Sequence, residues 1–227
     1  MIKALIFDLD GTLSDSLTSI AYSANSSLRK EGLSELPREN FRYYAGDGAK
    51  ELVRRYLKDT KNISCSLDPL DEANLEHFYR SYMEEFSKYC MYEVKPFPGI
   101  PELLSELQAE GLRTAVLSNK PDAQTREVVR SLFGDKLIDM VQGQTEEVPR
   151  KPAPDGALRI AAAFGLEPSE CMYLGDSDTD MKTGRAAGMY TVGVLWGFRD
   201  REELLKNGAE ALAEKPEDIK TLVRDQS

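Results

Sequence analysis

Met1-Ile2-Lys3-Ala4-Leu5-Ile6-Phe7-Asp8-Leu9-Asp10-Gly11-Thr12 is a short apolar run that stops abruptly on two carboxylates and a glycine. A run of this length bounded by turn residues predicts a buried strand, here over Ile2–Phe7. Similar runs recur at Thr114–Leu117, Leu137–Val141, Met172–Leu174 and Thr191–Val194. Helical patterns fill the intervals at Gly99–Glu110, Asp122–Phe133, Pro154–Phe164, Thr179–Ala187 and Arg201–Asn207. Strands alternating with helices predict an α/β fold, a doubly wound parallel sheet covered by helices on both faces.

One stretch breaks the rhythm. Between Ser16 and Met91 the chain shows amphipathic helical patterns at Ser19–Lys30, Gly48–Lys58 and Leu70–Tyr89 and no convincing strand. Lys95-Pro96-Phe97-Pro98-Gly99 then punctuates the return to alternation as a hinge would. The expected organisation is an α/β core from residues 1–15 and 93–227, interrupted by a helical domain over 16–92.

Charge and composition narrow the partners. The 227 residues carry 29 Lys+Arg against 39 Asp+Glu, a net charge of −10. Nucleic acid and anionic membrane surfaces both need a basic footprint, so neither is an expected partner. No apolar run reaches the length of a membrane span, and the first carboxylate comes too early for a signal peptide. Cys65, Cys90 and Cys171 are odd in number and far apart, which fits buried thiols in a reducing, cytoplasmic setting. The single histidine, His77, lies in a polar helical stretch and reads as a surface residue. The chain is compatible with a monomer or a homodimer.

The chemistry gathers where predicted strands end, which is where open α/β sheets bind ligands. Asp8 and Asp10, two apart on extended backbone, would point the same way and either share a proton or bind a cation. Gly11 allows an immediate turn and Thr12 offers a hydroxyl. A second acidic group, Gly175-Asp176-Ser177-Asp178-Thr179-Asp180, follows Met172–Leu174. A calcium loop starting at Asp176 would need glycine sixth and glutamate twelfth; the chain has Met181 and Ala187 there. Ser177 or Asp178 suits a helix cap, leaving Asp176 as the better metal ligand, and hard oxygens without thiol or imidazole favour Mg²⁺. Ser118-Asn119-Lys120 ends the Thr114–Leu117 strand, where a hydroxyl and backbone N–H groups would hold a phosphate. Lys151 stands before the helix that begins near Pro154.

Together these residues resemble the haloacid-dehalogenase-like hydrolase superfamily. Asp8-Leu9-Asp10-Gly11-Thr12 matches its first motif, Ser118 the second, Lys151 the third and Gly175–Asp180 the fourth, in the family's order. The resemblance covers essentially the whole chain, because the helical insertion matches the family's cap. It implies a Rossmann-like core and a Mg²⁺-dependent phosphomonoester hydrolase acting on a small phosphorylated metabolite. Asp8 would be the nucleophile that becomes an aspartyl phosphate, and Asp10 the general acid and then base. The Asp8 and Asp176 side chains with the Asp10 carbonyl would hold the metal, supported by Asp180. Ser118, Asn119 and Lys151 would bind the transferring phosphoryl group, and Thr12 would orient nucleophile and water.

The motifs also discriminate within the superfamily. Dehalogenases lack the second aspartate, and its transporting ATPases need membrane helices. β-Phosphoglucomutases usually carry a branched apolar residue where Thr12 stands and a cap histidine where this chain has Ile20. Tyr44-Ala45-Gly46-Asp47-Gly48-Ala49-Lys50-Glu51-Leu52 is similar to a glycine loop of phosphoglycolate phosphatases, in which Gly46, Gly48 and Lys50 would meet a substrate carboxylate. Trp196 is assigned to packing. A pyrophosphatase, 5'-nucleotidase or sugar-phosphate phosphatase on the same core remains open, as does a non-catalytic module that binds a phosphorylated ligand.

Overall fold

The structure is a computed structural model that describes residues 1–60 and 71–226. Cys65 and Leu70, the latter placed at a helix start by the sequence reading, lie outside the described residues. The chain divides into two compact units, Met1–Asp15 with Lys95–Ser227, and Ser16–Val94. It opens with β1 (Ala4–Phe7) and β2 (Ser14–Asp15), continues through α1 (Leu17–Lys30), α2 (Phe41–Tyr44), α3 (Ala49–Asp59) and α4 (Glu72–Tyr89), and returns with β3 (Lys95–Pro96). Then follow α5 (Ile100–Ala109), β4 (Arg113–Pro121), α6 (Asp122–Phe133), β5 (Met140–Gln144), α7 (Asp155–Ala163) and β6 (Cys171–Gly175). The chain closes with α8 (Asp178–Ala187), β7 (Tyr190–Val194), α9 (Arg201–Asn207), β8 (Ala211–Ala213) and α10 (Asp218–Asp225).

The larger unit is built on a six-stranded parallel sheet ordered β5-β4-β1-β6-β7-β8. The chain steps outward from β1 through β4 to β5, then crosses back to lay β6 on the other side of β1. That reversal is the point where an open α/β sheet binds ligand, outside the carboxyl ends of its strands. β1 is therefore flanked on both sides, and Ala4, Leu5, Ile6 and Phe7 are wholly buried. A strand covered on both faces reads as a continuous apolar run, which is why it was legible. On one face Ala4, Ile6, Ala115, Leu117 and Tyr173 pack against Ala157, Ile160 and Ala161 of α7.

Three departures from expectation have local causes. β4 runs on to Pro121 instead of stopping at Leu117, with a register irregularity against β5 between Leu117 and Pro121. β5 starts at Met140, later than the apolar run at Leu137 suggested. Its approach is held by the Asp139 N–H on the Thr114 carbonyl (2.9 Å) and the Thr114 N–H on Asp139 Oδ2 (2.8 Å). Lys95-Pro96, expected as a hinge, pairs antiparallel with Ser14-Asp15. A two-residue ladder leaves no periodicity to read, and the short edge strand β8 escaped for the same reason.

Among the described residues of the smaller unit the regular elements are helices, joined by turns and irregular segments. Its core is aromatic: Phe41, Tyr56, Tyr82 and Phe86 are buried, with Tyr82 stacked on Phe86 at 5.3 Å. Ser19, Ser23 and Ser27, four apart on α1, are buried too, and their hydroxyls return to backbone carbonyls, Ser19 to that of Tyr89 at the end of α4. Exposed His77 of α4 lies 3.1 Å from Glu31.

Glu85 of α4 is buried, yet Lys30 at 2.7 Å, Lys88 at 2.8 Å and the Ser26 hydroxyl at 2.5 Å surround it. Burial opposes its ionisation, but these donors prevail and hold its pKa at about 2. A carboxyl depressed on folding adds stability above its unfolded pKa and loses it as pH falls through the folded value. Glu85→Gln should therefore lower unfolding stability at neutral pH by about 1–2 kcal/mol, allowing for the exposed lysines. Denaturant titrations should show that gap closing as pH drops from about 4.5 towards 2.

Candidate active site

The carboxyl ends of β1, β4 and β6 lie side by side and deliver the site. Asp8 follows β1, Ser118, Asn119 and Lys120 lie at the end of β4, and Asp176 follows β6. Lys151 precedes α7, and Asp180 sits in the first turn of α8. Capping places Asp180: the Ser177 hydroxyl donates to its Oδ2 at 2.6 Å and accepts from its N–H at 3.3 Å. The Ser177 N–H also donates to that oxygen, at 3.2 Å, closing a capping box.

The Lys151 ammonium bridges two of these acids, 2.6 Å from Asp8 Oδ1 and 2.7 Å from Asp180 Oδ1. All three side chains are buried, that of Lys151 only 3 % exposed. Tyr173 on β6 reaches Asp180 Oδ1 at 3.4 Å. Asp176 is held at both oxygens, accepting from Thr12 Oγ1 at 3.1 Å and from the Phe198 N–H at 2.7 Å. Gly11, at φ +90°, must be glycine for two reasons: an L side chain resists that backbone conformation, and a Cβ would run into the Asp176 carboxylate.

Asp8, Asp176 and Asp180 each offer an oxygen within 4.8 Å of the others. Burial raises the Asp8 pKa well above the ordinary carboxylate value, Lys151 opposing and the two other aspartates reinforcing the shift. Burial, then Asp180, pushes Asp176 up to about 7. Burial works against the Lys151 ammonium, yet Asp180 and Asp8 outweigh it and keep the ammonium charged. Three close carboxylates against one bridging ammonium leave excess negative charge on hard oxygens with no thiol or imidazole among them. That donor set fits a hard divalent cation.

Asp10 is placed differently. Its carboxylate is not one of the three but accepts from Lys120 Nζ at 2.6 Å, a side chain only 2 % exposed. Ser118 is buried, and its Oγ accepts from the Lys120 N–H at 3.2 Å. Asn119 clasps Lys151 at two points, donating to its carbonyl at 3.0 Å and accepting from its N–H at 2.9 Å. Trp196, assigned to packing from the sequence, donates Nε1–H to the Thr12 carbonyl at 2.9 Å. Sequence reasoning assigned no role to the side chains of Lys120 and Tyr173 or to the Phe198 N–H.

In the helical unit, Gly46 and Gly48 both take positive φ (116° and 89°) ahead of α3. Arg55 pins the intervening Asp47 and reaches the carbonyls of Tyr43 and Tyr44. Lys50 pairs with Glu72 at 2.5 Å and Glu76 at 3.4 Å.

The family model of haloacid dehalogenase-like hydrolases matches residues 5–194. The chain belongs to that family. A phosphoglycolate phosphatase of Aquifex aeolicus is 32% identical over 196 residues, 86% of each chain. That of Nitrosospira multiformis is 30% identical over 226 residues, covering 100% of this chain and 97% of its own. A crystal structure of a proposed phosphoglycolate phosphatase from Lactobacillus delbrueckii subsp. bulgaricus superposes with a TM-score of 0.90 at 27% identity, over 97% of this chain and 98% of that one. This haloacid dehalogenase-like hydrolase is a phosphatase of the phosphoglycolate phosphatase-like kind. Among the described residues no helix is long and apolar enough to cross a membrane.

The metal-free site carries a pH signature. Asp176 takes up a proton on folding, because its folded pKa near 7 exceeds the unfolded carboxylate value. Its contribution to stability thus falls as pH rises from about 4 to 7, and a bound cation, which needs the ionised form, reverses the loss. The rise in melting temperature on adding a divalent cation should grow between about pH 5 and pH 7.5 and then level off. Thermal melts with and without the cation at each pH measure it; a shift that shrinks over that range would refute the assignment of Asp176.

Proposed function

We propose that the protein is a Mg²⁺-dependent phosphomonoesterase of small metabolites working through an aspartyl phosphate on Asp8, with phosphoglycolate the leading substrate. The observation that carries this reading is the buried group of Asp8, Asp176 and Asp180 bridged by Lys151 at the strand ends. In the first half-reaction an Asp8 oxygen attacks phosphorus and the bond to the leaving oxygen breaks. The electron pair stays on that oxygen, which takes the proton carried by Asp10. In the second, water attacks the same phosphorus, gives a proton to Asp10, and the Asp8–phosphorus bond breaks to release phosphate.

Asp8 and Asp176 with the Asp10 carbonyl would hold Mg²⁺, with Asp180 in support, and the ion would neutralise charge on the phosphoryl oxygens. Ser118 and Lys151 would bind the transferring group, Lys151 bringing positive charge where negative charge accumulates. Thr12 keeps Asp176 oriented, and Asn119 serves the phosphoryl site through its clasp on Lys151. The substrate reading rests on the named relatives and on the Gly46–Gly48 loop. Lys50 is shared with Glu72 and Glu76 in this structure.

Asp8→Asn should fold as the wild type does and lose turnover by at least about a thousandfold, and chelation should abolish activity. Steady-state assays over phosphoglycolate, pyrophosphate, nucleotides and sugar phosphates locate the substrate. Robust hydrolysis by Asp8→Asn would end the nucleophile assignment, and a flat panel would end dedicated phosphoglycolate specificity.

A further inference from the structure

The site holds a second buried ion pair that the motifs do not include. Lys120 lies at the end of β4, its side chain as secluded as that of Lys151, and its Nζ sits 2.6 Å from Asp10 Oδ1. A buried ammonium is costly unless a carboxylate compensates it, so the fold commits this lysine to Asp10. The backbone around it is pinned as well. The Lys120 N–H donates to Ser118 Oγ, and its carbonyl accepts from Thr125 Oγ1 at 3.0 Å. The tripeptide Ser118-Asn119-Lys120 thereby supports both lysines: Asn119 clasps the Lys151 backbone, and Lys120 reaches Asp10 with its own side chain.

We infer that Lys120 is a positioning residue that sets which Asp10 oxygen performs proton transfer; this rests on the reading of Asp10 as the proton carrier. With Oδ1 occupied by an ammonium donor, the transferable proton resides on Oδ2. As the bond between phosphorus and the leaving oxygen breaks, the Oδ2 proton passes to that oxygen, and the carboxylate left behind stays paired with Lys120. In the second half-reaction Oδ2 takes a proton from the attacking water. The Asp10 side chain is itself partly accessible, at 17 %, whereas its partner is sealed. That asymmetry suits a group that meets substrate while held from behind.

A positioned acid matters most when the leaving group is poor. Lys120→Met should lower kcat/KM for an alkyl phosphomonoester such as phosphoglycolate about a hundredfold, and for p-nitrophenyl phosphate less than about fivefold. The kcat/KM value reports only steps up to loss of the leaving group, so slow breakdown of the phosphoenzyme does not blur the contrast. General damage to the site would depress both substrates equally. Equal losses, or alkyl-ester hydrolysis within about twofold of wild type, would overturn the inference. Circular dichroism checks the fold. Should Lys120→Met not fold, Lys120→Leu, which also lacks a donor, is read by the same ratio. Asp10→Asn is the control for the underlying reading. If it remains fully active on the alkyl ester, Asp10 is not the proton carrier; if it shows the contrast and Lys120→Met does not, only the role of Lys120 fails.

Discussion

The ammonium of Lys151, lodged between Asp8 and Asp180, is the contact on which the site depends. Desolvating three charges at once is a poor way to gain stability. Buried ion pairs are often no better than apolar packing of the same volume, although removing one partner costs about 3–5 kcal/mol. The arrangement makes sense as preorganisation. It ties the residue after β1 to the loop before α7 and to the first turn of α8. The Asn119 clasp on the Lys151 backbone and the Ser177 capping box on Asp180 then remove the freedom left to each end. The cost of burial falls on Asp8 and Asp176, which resist ionisation, while Lys151 stays charged.

Sheet topology makes this economical. Because the chain reverses beside β1, the ends of β4 and β6 flank that of β1, and residues more than a hundred positions apart become neighbours. Four contacts of the site join segments more than a hundred residues apart: Asp8 to Lys151, Asp10 to Lys120, Thr12 to Asp176, Trp196 to the Thr12 carbonyl. Gly11 permits the closest of these approaches, since only a residue without Cβ lets Asp176 lie against the turn after β1.

That distance explains which parts were legible in the sequence. Asp8, Asp10, Gly11 and Thr12 are contiguous and follow a fully buried strand, so both strand and turn could be read directly. The first turn of α8 was legible for a related reason, because a cap and an acidic turn after a strand have a recognisable local grammar. Lys120 was not. Ser118-Asn119-Lys120 reads as a strand end that offers a hydroxyl and backbone N–H groups, which says nothing of the lysine side chain, and its partner is 110 residues away. The Phe198 N–H carries no side-chain identity at all, and Trp196 looks like any packing indole until its Nε1–H finds the Thr12 carbonyl. The two-residue β2–β3 ladder and β8 were missed because strands this short have no period.

The net charge of −10 sits oddly with an enzyme proposed to bind an anion, and the site's own charges resolve the tension. Asp8, Asp10, Asp176 and Asp180 would contribute four negative charges if all ionised, against two from Lys120 and Lys151, leaving an excess of two. Lys120 is paired with Asp10, and Lys151 with Asp8 and Asp180, so both ammonium charges are already offset by carboxylates. One divalent cation bound there would cancel the excess, and a phosphoryl group would then meet a neutral rather than a repulsive cradle. Attraction must therefore be local, because the field of the whole molecule opposes an approaching anion. The buried lysines act first on the protein's own carboxylates, orienting them and limiting their mutual repulsion, and a bound divalent cation would let the same pocket accept further negative charge.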